Sequence, residues 1–330
     1  MGKSISKTEQ SSDWGGELTK EQQKHLMGFN GFTWCIGVVE DNNDPEKLGR
    51  VRVRCLGLHT ENKNELPTED LPWATPMMPL TSGSISQIGQ APTGLQNGSW
   101  VVGFFRDNED CQDPVVMGSF YGYPMERPNT DLGFCDASGT HPIEIEEPDT
   151  SRLARGLTTS KVYQAKKALL DLETQDLHTI ANVSDTWASL SNPYAARYPF
   201  NKVNQTESGH VIELDDTPNA ERINIQHKSG TFLEFHPNGD IRVLGKNGEV
   251  IIQGGLNVHI TGNVNLTCDN AFNHHVKGNY SLQIDGTKTE VVTGLVSETY
   301  KANQTTKITG KLDLDASSEV DVDAGIINLN

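Results

Sequence analysis

The run Ile252-Gln253-Gly254-Gly255-Leu256-Asn257-Val258-His259-Ile260-Thr261-Gly262 opens a pattern that continues towards the end of the chain. Glycine recurs at 254, 262, 278, 286, 294 and 310, so every gap is eight or sixteen, and Asn270 and Ala302 occupy skipped places. Ile252, Ile260, Val276, Ile284, Val292 and Ile308 each precede a glycine by two. A fixed short period marks stacked identical units rather than a globular domain. The octads therefore predict a rod over the last quarter of the chain.

Successive side chains of a strand face opposite sides. Even positions carry Leu256, Val258, Ile260, Val264, Leu266, Phe272, Val276, Tyr280, Leu282 and Ile284. Odd positions carry His259, Thr261, Asn263, Asn265, Thr267, Asp269, Asn273, Lys277, Ser281, Gln283 and Asp285. An eight-residue unit supplies about one strand and a corner, so one chain cannot enclose the apolar face, and its edges invite pairing. Winding identical chains about one axis closes the core, with three-fold symmetry as the expected form. Lys288, Glu290, Glu298 and His274 break the even face. Buried like charges are costly unless paired, so either Lys288 and Glu290 pair between layers or the register shifts there. In a trimer His274 would form a ring of imidazoles. That ring is either a packed, hydrogen-bonded histidine or a site for an axial metal or anion.

Composition limits the partners. Among 330 residues the net charge is -17, which argues against naked nucleic acid and anionic lipid as electrostatic partners. Hydrophobic residues at 35% are lean for a compact enzyme of this size but suit an elongated chain. Residues 1–24 lack the apolar core of a secretory signal, and no apolar run is long enough for a spanning helix. Cys35, Cys55, Cys111, Cys135 and Cys268 form no C-x-x-C pair, so neither a zinc site nor a disulfide framework is indicated. Synthesis in a reducing cytoplasm is the simplest reading.

Upstream of the octads, residues 1–29 read as a flexible polar arm. Residues 30–125 hold strand candidates at 33–40, 49–56, 73–76, 99–105 and 114–120, separated by turn residues. Five short strands of this kind predict a small barrel of the oligonucleotide/oligosaccharide-binding (OB) type. Residues 126–200 read as an extended linker with one candidate helix, 160–173, where Val162, Ala165, Ala168, Leu169 and Leu172 fall near helical spacing. Residues 201–330 return to short strands and then the octads, for an all-β fold overall.

Val38-Val39-Glu40-Asp41, Asp44-Pro45, Lys47-Leu48-Gly49-Arg50-Val51-Arg52-Val53-Arg54 and Gly57-Leu58-His59 form a distinctive series, as does Leu66-Pro67-Thr68-Glu69-Asp70-Leu71-Pro72-Trp73-Ala74. Together they resemble the N-terminal barrel of the central spike (baseplate hub) proteins of contractile-tailed phages, an architecture shared with type VI secretion spikes. Tyr198-Pro199-Phe200-Asn201-Lys202-Val203, Thr206-Glu207-Ser208-Gly209-His210 and Asp215-Asp216-Thr217-Pro218 resemble the entrance to that family's triple-stranded β-helix. The resemblance covers about 32–130 and 194–330. It implies a homotrimeric, membrane-puncturing spike in the virion tail baseplate, assembled in the host cytoplasm. The barrel would dock on a hub protein ring, the needle would be driven through the host outer membrane on contraction, and a small tip protein would seat at the C-terminus.

The best-known phage member carries a lysozyme domain between barrel and needle, and residues 131–193 are too few for one. Glu144, Glu146 and Glu147 crowd one short Pro-bounded stretch, whereas glycoside hydrolysis needs two carboxylates across a cleft. A non-enzymatic chain is expected. Arg50, Arg52 and Arg54 alternate along one strand face. They read either as an oligonucleotide groove or as a salt-bridged or partner-facing edge. The acidic balance, and an expected scarcity of exposed aromatics on these strands, favour the latter. Asp41-Asn42-Asn43-Asp44 lacks the Gly and distal Glu of a calcium loop and reads as a turn. The rival function is a glycan-binding adhesive fibre. Residues 254–330 have only Phe272, Tyr280 and Tyr300 as aromatics, all even and so expected inward rather than in an exposed sugar-binding ladder.

Overall fold

A computed structural model describes residues 33–85, 88–107, 110–121, 126–136, 138–139, 147–173, 178–180 and 186–328. The N-terminal arm, Glu144 and Glu146 lie outside them. The described residues fall into two units, one with the barrel, helices and larger sheet, the other with a short hairpin and residues from 259 onward.

β1 (Thr33–Asp41), β2 (Val51–Cys55), β3 (Trp73–Pro76), β4 (Trp100–Phe105) and β5 (Pro114–Ser119) close into a barrel in the order β1-β2-β3-β5-β4. All neighbours are antiparallel except β3 and β5. The interior holds Val39, Val51, Val53, Cys55, Ala74, Val101, Phe105 and Val116. Val51, Val53 and Cys55 thus supply the inward pleat of β2, as the alternation with arginine predicts. The chain approaches itself closely at β4–β5, where a Cβ on Gly103 would lie 2.1 Å from the Val115 carbonyl oxygen.

Arg54 pins the loops around the barrel. It is fully buried, donating from Nε and Nη2 to Glu40 at 2.7 and 3.0 Å and to the carbonyls of Thr60 and Leu66 at 2.6 and 2.8 Å. Glu40 also accepts from Thr68 Oγ1 at 2.8 Å and the Phe134 N–H at 2.6 Å. Gly133 covers the guanidinium so closely that a Cβ there would meet Nε at 2.3 Å. One ion pair therefore ties β1, β2, the β2–β3 loop and the segment after the barrel.

Residues 147–200 are more structured than the composition suggests. α1 (Asp149–Ala154) and α2 (Lys161–Glu173) belong to the same unit as the second sheet. The Asp149 carboxylate accepts from Ser160 Oγ at 3.0 Å and the Lys161 N–H at 2.9 Å, capping α2. Leu153 and Val162 pack with Val211, and Gln226 donates to the Val162 carbonyl at 2.8 Å. The physical reason is the sheet: β8 (Asn201–Gln205), β9 (Val211–Asp215), β10 (Arg222–Gln226), β11 (Phe232–Phe235) and β12 (Ile241–Leu244) form an antiparallel meander, one face of which α2 covers.

The second unit contains β6 (His178–Thr179) paired with β7 (Thr186–Trp187) and the octads. Bends fall at 253–254, 261–262, 269–270, 277–278, 285–286, 293–294, 301–302, 309–310 and 317–318, each followed by an unbent run. The sequence period is thus a period of the backbone. Among the described residues, no strand ladder includes residues 245–328.

Burial acts to raise the Glu40 pKa, but the hydrogen bonds from Arg54, Thr68 and the Phe134 N–H outweigh it and hold it below the ordinary 4.5. A depressed carboxylate stabilises the fold fully above its unfolded value, and this is lost as pH falls through the folded value. Glu40→Gln should therefore lower the barrel's melting temperature at neutral pH, with the gap to wild type narrowing below about pH 4.5. Thermal melts at several pH values check this.

Candidate assembly site

Arg50, just before β2, and Arg52 and Arg54 within it are consumed internally. Arg50 forks onto Asp44 at 2.8 and 3.2 Å. Arg52 donates to the carbonyls of Thr68 and Leu71 and stacks 4.5 Å from the Trp73 ring. Arg54 is the buried pin. Asp44 anchors the turn that follows it, accepting the N–H groups of Glu46, Leu48 and Arg50 at 3.0, 2.8 and 3.2 Å. The Arg50 guanidinium is the chief cause of an Asp44 pKa far below the ordinary range. Glu147 binds Arg155 at 2.8 Å.

The outer barrel surface differs from expectation. Trp34, Ile36, Trp100, Met117 and Phe120 are exposed, with Trp34 edge-on to Phe104 and Trp100 6.1 Å from Phe120. Aromatics are therefore not scarce on these strands. The inner pleat is filled by Val39, Val101 and Phe105, which leaves Trp34 and Trp100 on the outer one.

The meander carries the main surprise: its polar face is the buried one. In β9, Val211, Glu213 and Asp215 are buried while Ile212 and Leu214 are exposed. In β10, Arg222, Asn224 and Gln226 are buried while Ile223 and Ile225 are exposed. Phe235, Ile241 and Val243 continue the outer face, from 36% exposed at Phe235 to 75% at Val243.

Beneath lies an ionic network between sheet and helix. Arg222 donates to Glu213 at 3.2 and 2.7 Å and to Glu234 at 3.0 Å. Lys166 of α2 pairs with Glu234, and its ammonium lies 4.4 Å from the Phe232 ring. Asn201 and Asn224 each donate to Glu213 at 2.8 Å, and Arg222 lies 4.9 Å from the Tyr194 ring. Burial opposes the charge on Arg222, yet Glu213 and Glu234 prevail and push its pKa up. Burial dominates at Lys166, whose pKa falls despite Glu234.

Along the octads, the even-position apolar side chains are all exposed, among them Leu256, Val258, Ile260, Val264, Leu266, Phe272 and Ile284. Monomeric proteins rarely present so long a row of apolar side chains. Lys288 pairs with Glu290 of the same chain at 2.7 Å. His274 is exposed, its ring 5.5 Å from Tyr280, and no cluster of three metal-ligating side chains occurs among the described residues.

Residues 57–222, half of the chain, match the family described as the Gp5 N-terminal OB domain. The chain belongs to that family. The match begins in the β2–β3 loop, takes in the rest of the barrel and both helices, and ends at Arg222. "Protein Gp5" of Vibrio phage KVP40 is 37% identical over 281 residues, covering 74% of this chain and 66% of that protein. "Pre-baseplate central spike protein Gp5" of Enterobacteria phage T4 is 41% identical over 135 residues, covering 39% of this chain and 23% of that one. The chain spans less than two thirds of either relative. The resemblance to phage baseplate central spike proteins holds, and so does the OB-type barrel.

Sequence reading missed the inverted meander, although its signal is present as Val211-Ile212-Glu213-Leu214-Asp215 and Arg222-Ile223-Asn224-Ile225-Gln226. Alternation identifies two faces without saying which is covered. Arg222→Met should strand Glu213 and Asp215, leaving Glu234 to Lys166 alone, and cost about 3–5 kcal/mol. Hydrogen exchange should report it as faster exchange across α2, with the barrel amides unchanged.

Proposed function

We propose that this chain is a structural spike of the phage tail baseplate, built as a homotrimer whose core is made by the outer apolar face of the meander and the even face of the octads. The observation that carries this reading is the pairing of two deficits in one chain. Residues 245–328 lack backbone ladder partners, and their apolar side chains, like those of β9–β12, stand in solvent. A second and third copy would remedy both at once, because strands wound about a common axis satisfy each other's backbone groups and bury the shared face. Fully burying one such side chain is worth about 1.5–3 kcal/mol before the cost of association. Repeated along the octads, that sum favours an interwound assembly over a free chain.

The spike reading also draws on the family and on the name of the T4 relative. In it, the barrel docks on a hub protein ring through the exposed Trp34, Ile36, Trp100, Met117 and Phe120. The octads form a needle driven through the host outer membrane on contraction, with a small tip protein seated beyond Ile326 and Ile327. The role is mechanical and non-enzymatic: bending an interwound β rod must break many ladder hydrogen bonds together. Three His274 imidazoles would meet on the axis and hold an ion or pack as a ring. Elemental analysis of purified assembly separates these, since an axial ion requires one metal per three chains.

Light scattering should give the full chain three times its sequence mass, and the trimer should resist SDS. A version ending at Leu244 should lose SDS resistance, and Ile225→Asp should weaken assembly while leaving exchange in α2 unchanged. A stable full-length monomer would overturn the reading.

A further inference from the structure

The barrel contains a thiol pair for which neither assembly nor puncturing has a use. Cys35 lies on β1, half-buried, and Cys55 ends β2 with 1% of its surface exposed. Gly37 stands directly opposite Cys55 in the ladder, so Cys35 is its diagonal neighbour on the same face of the pleat. Both pack into the same core cluster, with Cys111 of the β4–β5 loop beside them. The two thiols share the barrel interior, and each shifts the ionisation of the other. The Cys55 N–H is given to His59 Nδ1 at 2.9 Å, which fixes the end of β2.

We propose that Cys35 and Cys55 form an oxidative modification site, closing an intrachain disulfide by exchange with a low-molecular-weight disulfide of the glutathione class. The inference stands apart from the spike reading and holds for the barrel alone.

The two thiols are unequal, and that sets the order of events. The Cys55 thiol, and then the Gly103 backbone, lower the Cys35 pKa against the effect of burial. Cys35 in turn, and burial, raise that of Cys55. Cys35, the more accessible of the two and the better thiolate, attacks one sulfur of oxidised glutathione and expels a glutathione thiolate. The resulting mixed disulfide sits against Cys55. Cys55 passes its proton to solvent base as its sulfur attacks Cys35, expelling the second glutathione. Two protein thiols are oxidised to one disulfide, and one glutathione disulfide is reduced to two thiols. The bond would staple β1 to β2 across the 41–50 turn and constrain the unfolded chain.

The test uses the full chain, purified under reductant and then equilibrated with oxidised or reduced glutathione. Free thiols are alkylated before non-reducing digestion and mass spectrometry. The expected product is a peptide joining Cys35 to Cys55, lighter by two hydrogens, present only after oxidation. Cys55→Ala should trap Cys35 as its glutathione adduct, and Cys35→Ser should leave Cys55 unmodified in the folded protein. Cys268→Ser should change neither result. Full alkylation of both Cys35 and Cys55 after oxidation, or a linkage of Cys35 to Cys111 in their place, would overturn the proposal. The wild-type measurement alone decides it if a variant fails to fold.

Discussion

The network around Arg222 decides which face of the meander is covered. Glu213, Asp215 and Glu234 face one side of the meander, and stripping three carboxylates of water is tolerable only where cations meet them. Arg222 supplies one from within the sheet, and Lys166 the other from α2. The charged face is thereby committed to the helix. Ile212, Leu214, Ile223, Ile225, Ile241 and Val243 are left exposed on the other side. An ion network of this kind adds little net stability, but it decides which face is available to a neighbour.

The barrel follows a related rule. Arg50, Arg52 and Arg54 look like a basic stripe in the sequence, yet each is used to hold the chain to itself, and Arg54 is the most deeply committed. What the barrel offers outward is apolar and aromatic: Trp34, Ile36, Trp100 and Phe120. The meander buries its charge and presents apolar surface, whereas the barrel keeps an apolar core and also presents apolar and aromatic side chains outward.

Much of this was readable from residue order. The barrel strands emerged because Val51, Val53 and Cys55 alternate with arginines and because turn residues punctuate the runs. The octads emerged because their period needs no tertiary information, and the backbone bends repeat it. The helices at 149–173 were only half visible: Lys166 is a polar residue on the packed face of α2, and its partner Glu234 lies 68 residues away. The pairing of Arg54 with Glu40, and of Glu40 with the Phe134 N–H, was equally hidden, because such contacts depend on which loops the barrel brings together.

Sequence by itself determined the periodicities: a two-residue alternation in the strands, an eight-residue repeat in the C-terminal quarter, and the residue types on each face. Those follow from local backbone geometry, which fixes where successive side chains point. Only the tertiary structure decided which face of each element is inside. Whether Glu213 or Ile212 is buried depends on whether Lys166 arrives to neutralise the carboxylates, and that is a long-range electrostatic balance no local pattern contains.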